Sequence, residues 1–132
     1  MVAALYRDGG QAQFIEHPVP EDRSLLAATC AWAVAELHRP LTVSDLAAHA
    51  GYSVRSFSRQ FQAHYGTTPA RWLAGQRILQ ARRLLEETDL PVDDVAWRSG
   101  LGTAANLRAR FARAVSTTPS QYRKAFRGTS PP

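Results

Sequence analysis

The chain of 132 residues has one cysteine, Cys30, so no disulfide can form within it, and a lone thiol fits a reducing, cytoplasmic setting. No apolar run approaches the roughly 18–20 residues of a membrane-spanning helix, so no membrane partner is expected. The N-terminus lacks a basic region followed by an apolar block, so no signal peptide is expected. The four histidines (His17, His38, His49, His64) show no zinc-like spacing with Cys30, and neither metal nor cofactor is expected. No phosphate loop, serine–histidine–aspartate order or paired carboxylates stand out; Asp93 and Asp94 fall in a helix first turn, where the helix dipole accounts for them. An enzyme is therefore not expected. No stretch reads as a strand, which leaves an all-α chain.

Lysine is nearly absent too. Fifteen of the 16 basic residues are arginine, whose planar fork grips phosphate or a guanine edge with two hydrogen bonds. The formal charge is +5, and it is unevenly spread: net −2 over residues 1–24, +3 over 25–87 and +4 over 88–132. Charge alone fits a solvated surface or a nucleic-acid partner equally well.

Gly9-Gly10, Pro18 and Pro20 break up residues 1–24, which read as an arm or linker. Leu25–His38 is alanine-rich, with Trp32 and Leu37 spaced for one helical face and Ser24 placed to cap its start. Short helices are expected at Val43–Ala50, with Thr42 or Ser44 near its start, and at Val54–Tyr65, opened by Ser53 and closed by Gly66. A long helix at Ala70–Glu87 follows Pro69. Further helices are expected at Val92–Ser99, Ala104–Val115, and from Pro119 to about Phe126. That makes about seven helices, with residues 128–132 as a disordered tail.

The middle of the chain says the same thing twice. LTVSDLAAHAGYSVRSFSRQF aligns with LPVDDVAWRSGLGTAANLRARF: Leu41 with Leu90, Val43 with Val92, Asp45 with Asp94, Leu46 with Val95, Ala47 with Ala96 and Gly51 with Gly100. One extra residue then enters, after which Phe57 matches Leu107 and Phe61 matches Phe111. HYGTTPARW continues against AVSTTPSQY. Two copies of a unit of about 50 residues are implied. In each, a small residue (Ala47, Ala96) lets a second helix cross closely, a glycine (Gly51, Gly100) supplies a turn with positive φ, and a bulky apolar residue (Phe57, Leu107) fills the core. That is the grammar of a helix-turn-helix.

With these residues in place, the chain resembles the AraC/XylS family of bacterial transcription regulators over about Leu25–Phe126. The match is most specific in RILQARRLLEETDLPVDDVAWRSGL, at Leu107 and Phe111, and in TTPSQYRKAF. The resemblance implies two helix-turn-helix units (about 25–69 and 88–127) joined by a linker helix (about 70–87). It also implies recognition helices in successive major grooves of double-stranded DNA, roughly 34 Å apart. YRDGGQAQF in the arm resembles the end of a PfpI-type, amidotransferase-like sensor domain. This suggests the C-terminal part of a longer regulator, monomeric as this fragment and dimeric in the parent, or else a naturally shortened form. An ordinary arm is the alternative.

Carried over residue by residue, the family's base-contacting positions fall on Arg55, Ser58 and Arg59 in the first unit, with Val54 beside them. Arg59 is the best candidate for a bidentate guanine contact. In the second unit the matching residues are Ala104, Ala105, Arg108 and Ala109. The family often has arginine at Ala109, phenylalanine at Leu101 and glycine at Ser116, so this unit departs from the pattern. Backbone contacts are expected from Thr42, Val43, Val54, Thr103, Thr67, Thr68, Arg71, Thr117, Thr118, Gln121 and Arg123. Arg77 takes a structural part in the family pattern, while Arg82 and Arg83 read equally as DNA contacts or as side chains facing water.

The alternative reading is a helical interaction module contacting RNA polymerase or a partner regulator without reading DNA. On the DNA reading, the first unit carries most of the sequence preference, and Arg108 is the only polar reader of the second. Systematic base substitution across a bound duplex should then show sharper preferences in one half-site. Equal preferences in both halves would refute that division of labour.

Overall fold

The computed structural model describes residues 21–128. Within them the chain forms seven α-helices: α1 (Glu21–Ala35), α2 (Val43–Ala50), α3 (Val54–Tyr65), α4 (Pro69–Glu87), α5 (Val92–Arg98), α6 (Ala104–Val115) and α7 (Pro119–Gly128). No strand occurs among the described residues. The expected first helix differs most. It starts at Glu21 and ends at Ala35, so Ser24 lies inside it and residues 21–24 are not linker. Glu21-Asp22 in sequence is itself a helix-opening signal. The rest of the expected arm, its sensor-like stretch included, and residues 129–132 of the expected tail lie outside the described residues.

Each short helix is bounded by chemistry visible in the sequence. Thr42 caps α2 in a reciprocal box: its hydroxyl accepts from Asp45 N–H, and the Asp45 carboxylate accepts from Thr42 N–H. This, with Arg39 nearby, holds the Asp45 carboxyl below its ordinary value. Ser53, Thr68 and Thr103 cap α3, α4 and α6 through their hydroxyls. Pro69 occupies the first position of α4, where its missing N–H costs nothing.

The repeat recurs in the first part of each turn, after which the second turn adds one residue, with Gly102 also at positive φ. Tyr52 N–H donates to Ala47 O, and Leu101 N–H to Ala96 O, both at 2.9 Å. Gly51 and Gly100 sit at φ 82 and 84. Two cores follow. Leu26, Ala33, Leu46, Ala47, Phe57, Phe61 and Leu73 close the first, formed by α1–α3 and the start of α4. Ala81, Leu85, Val95, Ala96, Leu107 and Phe111 close the second, formed by the end of α4 with α5–α7. Trp72 meets Phe61 edge-on at 5.7 Å, and Tyr122 meets Phe111 in the same way at 5.4 Å. α4 therefore serves both cores, spanning about 28 Å at 1.5 Å per residue.

The two glycine turns are alike in backbone and unlike in surroundings. A Cβ on Gly51 would meet nothing within 4 Å, whereas one on Gly100 would lie 1.9 Å from Leu37 O and 2.5 Å from Arg77 Nε. Gly51→Ala should cost about 1–2 kcal/mol, the left-handed backbone penalty. Gly100→Ala adds an overpacking penalty and should cost about 2–5 kcal/mol. Chemical denaturation of the two variants side by side checks the ordering; equal losses would mean that the Leu37 contact carries no weight.

Candidate nucleic-acid interface

In α3, Phe57 and Phe61 are fully buried and meet as tilted rings in the core, which fixes the roll of the helix. The opposite face carries Val54, Arg55, Ser58 and Arg59, of which only Ser58 is half-buried. The spacing i, i+1, i+4, i+5 puts them on one stripe. Ser53 anchors the start of that stripe by accepting from Ser56 N–H at 3.2 Å. Neither arginine is paired with a carboxylate among the described residues, so both guanidinium forks face solvent with their donors available.

α6 is built the same way and carries different side chains. Leu107 and Phe111 are fully buried; Ala105, Arg108 and Ala109 are exposed and Ala104 is half-buried. Asn106 holds the preceding turn, donating from Nδ2 to Leu101 O at 2.9 Å. The outward face is thus small and apolar, with one guanidinium. Such a face can touch a thymine methyl and offers base edges few hydrogen bonds.

The residues expected on the backbone divide into two groups. Val54, Arg71, Thr103, Thr118 and Gln121 are exposed, with Thr67, Thr68 and Thr117 partly so. The Thr117 hydroxyl donates to Gln121 Oε1, and Thr118 caps α7. Thr42 and Arg123 are placed differently. Thr42 spends both its N–H and its hydroxyl on the Asp45 carboxylate, which itself occupies the helix start where an anion was expected; Val43, half-buried, begins the helix beside it. Arg123 turns inward, with Nε donating to Leu85 O at 3.1 Å and Nη2 enclosed. Leu85 is in the last turn of α4, whose carbonyls have no helical partner, so Arg123 acts as a cap for α4. Arg82 does not simply face water: its Nε donates to the Tyr122 hydroxyl, which bonds Glu86, and its guanidinium lies over the Tyr122 ring. Arg83 is exposed.

Sequence reasoning missed the clasp of α7 on the end of α4, where Arg127 donates to Asp89 and to Thr88 O. It also missed the Thr29–His49 hydrogen bond beneath the Trp32–His49 stack. Cys30 is half-buried against the first core, where burial raises its thiol above the ordinary value. Among the described residues no cluster of His, Cys, Asp and Glu could hold a metal, and no helix is long and apolar enough to cross a membrane.

The profile of a family described as a helix-turn-helix domain matches residues 46–125, more than half of the chain. The chain belongs to the AraC-type helix-turn-helix family of transcription regulators. Over 84 residues it is 44% identical to the HTH-type transcriptional regulator Rv1931c of Mycobacterium tuberculosis, a match covering 64% of this chain and 32% of that protein. It is 39% identical over 72 residues to the HTH-type transcriptional activator RhaS of Enterobacter sp. (strain 638), covering 54% of this chain and 26% of that protein. The chain thus spans about a third or less of the length of these curated relatives. Among solved structures, the DNA-binding domain of AdpA, determined in complex with a target DNA, is 45% identical with a TM-score of 0.75. It covers 78% of this chain and 93% of that one. An AraC-type regulator from Chromobacterium violaceum, at 22% identity and TM-score 0.74, shares the fold.

The AraC-type surface separates residues that hold the fold from residues that face out. Arg123→Ala should lower stability by about 1–3 kcal/mol, the range for a charge-assisted hydrogen bond at a partly buried carbonyl. Arg108→Ala should stay within about 0.5 kcal/mol of the parent. Thermal denaturation of both variants tests the assignment, and an unchanged midpoint for Arg123→Ala would return that side chain to the interface.

Proposed function

We propose that this AraC-type chain binds double-stranded DNA sequence-specifically and regulates transcription in the bacterial cytoplasm, with α3 and α6 in successive major grooves. The observation that carries the reading is the pairing of two equivalent helices. Each is rolled by two buried core residues so that a stripe of exposed residues faces out. The AdpA domain, solved with its target DNA, supports it by likeness.

In this reading Arg59 makes a bidentate contact with a guanine edge, Arg55 reads a base or grips a phosphate, and Ser58 supplies a shorter polar contact. Ala104 and Ala105 pack on thymine methyls, and Arg108 is the polar reader of the second groove. Val43, Val54, Arg71, Thr103, Thr117, Thr118 and Gln121 set the register on the phosphates. Both units lie in one chain, so a single copy spans an asymmetric site of about 20 bp. A second reading has one observation in its favour: Trp97, 62% exposed on α5, is a large aromatic surface off the recognition stripe, of the kind a polymerase or partner regulator engages.

Selection of sites from random duplex DNA, with wild type and Arg59→Ala compared at fixed salt, tests the first reading. A defined motif should emerge, and the variant should lose preference at one guanine-containing position by about 1–3 kcal/mol. No motif, with steep salt dependence and identical behaviour of the variant, would leave only backbone binding and move the second reading ahead.

A further inference from the structure

Between the two units lies a cleft of about 750 Å³, walled by the start of α2, the middle of α4, the α5–α6 turn and one side of α6. Its volume is in the range of small-molecule sites, roughly 300–1,000 Å³. Leu41, Leu73, Ile78 and Leu101 give it an apolar floor. Arg77, Arg110 and Arg113 stand around it, and no acidic residue lines it. We propose that this cleft binds an amphipathic organic anion: a compact apolar body seated on the floor, with one acidic head held by Arg110 and Arg113.

Three features point to that occupant. Arg77 is already fixed in place, donating from Nε to Leu37 O at 3.4 Å and from Nη2 to Arg39 O at 2.8 Å, and neither bond uses Nη1. Its guanidinium is held below the ordinary arginine value, first by burial and then by Arg110, so like charges are crowded at the cleft. An anionic head relieves that repulsion and gains charge-assisted hydrogen bonds. The floor asks for something besides charge, since a hydrated phosphate alone would leave it bare.

The cleft also uses a different side of α6 from the one proposed to read DNA. Asn106, Arg110 and Arg113 line it at i, i+4 and i+7, one helical stripe. Ala105, Arg108 and Ala109 form another and are not part of the wall. The proposal therefore uses none of the base-reading residues of α6, and shares only Val43 with the proposed phosphate contacts. A guest in the cleft touches α2, α4 and α6 at once, bridging both units.

The probe is 8-anilinonaphthalene-1-sulfonate, an aromatic body with one sulfonate. Its uncharged counterpart, N-phenyl-1-naphthylamine, serves as control, and both are titrated by fluorescence into the full chain. The sulfonate should bind saturably at one site. Arg110→Ala/Arg113→Ala should weaken it by roughly tenfold or more, the loss of a charge-assisted hydrogen bond, and should barely change the neutral dye. Ala74→Trp, which fills the cleft, should abolish both; if that variant does not fold by circular dichroism, the exposed arginine pair still decides. Equal sulfonate binding by parent and arginine variant, or equal binding of the two dyes, would overturn the proposal. A random-sequence duplex that displaces the sulfonate, and that loses affinity in the same proportion on the arginine substitutions, would also overturn it. The cleft would then be a groove for the DNA backbone.

Discussion

Arg77, midway along α4, donates to the carbonyls of Leu37 and Arg39 in the connection between α1 and α2, and Gly100 of the second unit comes up against the same Leu37 carbonyl. In the DNA reading proposed above, the relative placing of α3 and α6 draws on this contact. A linker helix sets a distance, but each unit could still tilt about its ends. The Arg77 clasp removes that freedom by tying the chain that leaves α1 to α4 and to the second glycine turn. Its strength comes from need on both sides: the Leu37 carbonyl, just past a helix end, has lost its helical donor, and a half-buried guanidinium has lost much of its water; the Arg39 carbonyl is shared with Leu41 N–H. Gly100 is therefore under two constraints at once, a left-handed backbone and a close approach, whereas Gly51 meets only the first.

The second unit keeps the frame of the first and relaxes its surface. The turn hydrogen bonds, the edge-on aromatic pair and the threonine or serine caps recur in both copies. What differs is what each frame displays. Arginine and serine on α3 become alanine and a single arginine on α6. Gly66 becomes Ser116, a non-glycine residue at φ 63. A side chain at that left-handed backbone costs about 1–2 kcal/mol relative to glycine. Elsewhere in the unit, side chains of α7 reach α4 and the turn after it. Arg123 caps α4, Tyr122 bridges Arg82 and Glu86, and Arg127 closes onto Asp89, whose carboxyl it holds below the ordinary value.

The helices, their caps and the duplicated turn were legible because each rests on local grammar: a threonine or serine before an apolar run, a glycine after one, a proline at a first turn. The outward stripe on α3 was legible for the same reason, since burying Phe57 and Phe61 leaves only one direction for Arg55 and Arg59. The start of α1 was misjudged because Ser24 imitates a cap within an already helical stretch. The roles of Arg123 and Arg82 were hidden for a different reason. Each depends on a partner supplied by another helix, Leu85 O for Arg123 and Tyr122 for Arg82. An arginine count cannot distinguish a guanidinium that caps a helix from one that waits for a phosphate; only the fold brings the competing acceptor within reach.

That distinction bears on how a basic surface becomes a selective one. A domain with pI near 10.1 attracts any polyanion, and the attraction falls steeply with salt. Discrimination requires that some guanidinium groups be spent internally and that the remainder be few and well placed. Here Arg77, Arg82, Arg123 and Arg127 donate to carbonyls, a phenol or a carboxylate within the fold, while Arg55, Arg59 and Arg108 face out from helices whose roll is fixed by buried core residues. The internal group gives rigidity and the external group gives chemistry. An exposed arginine on a loosely held helix would bind any phosphate it met; the same side chain on a helix pinned by two buried rings can demand one base edge in one orientation.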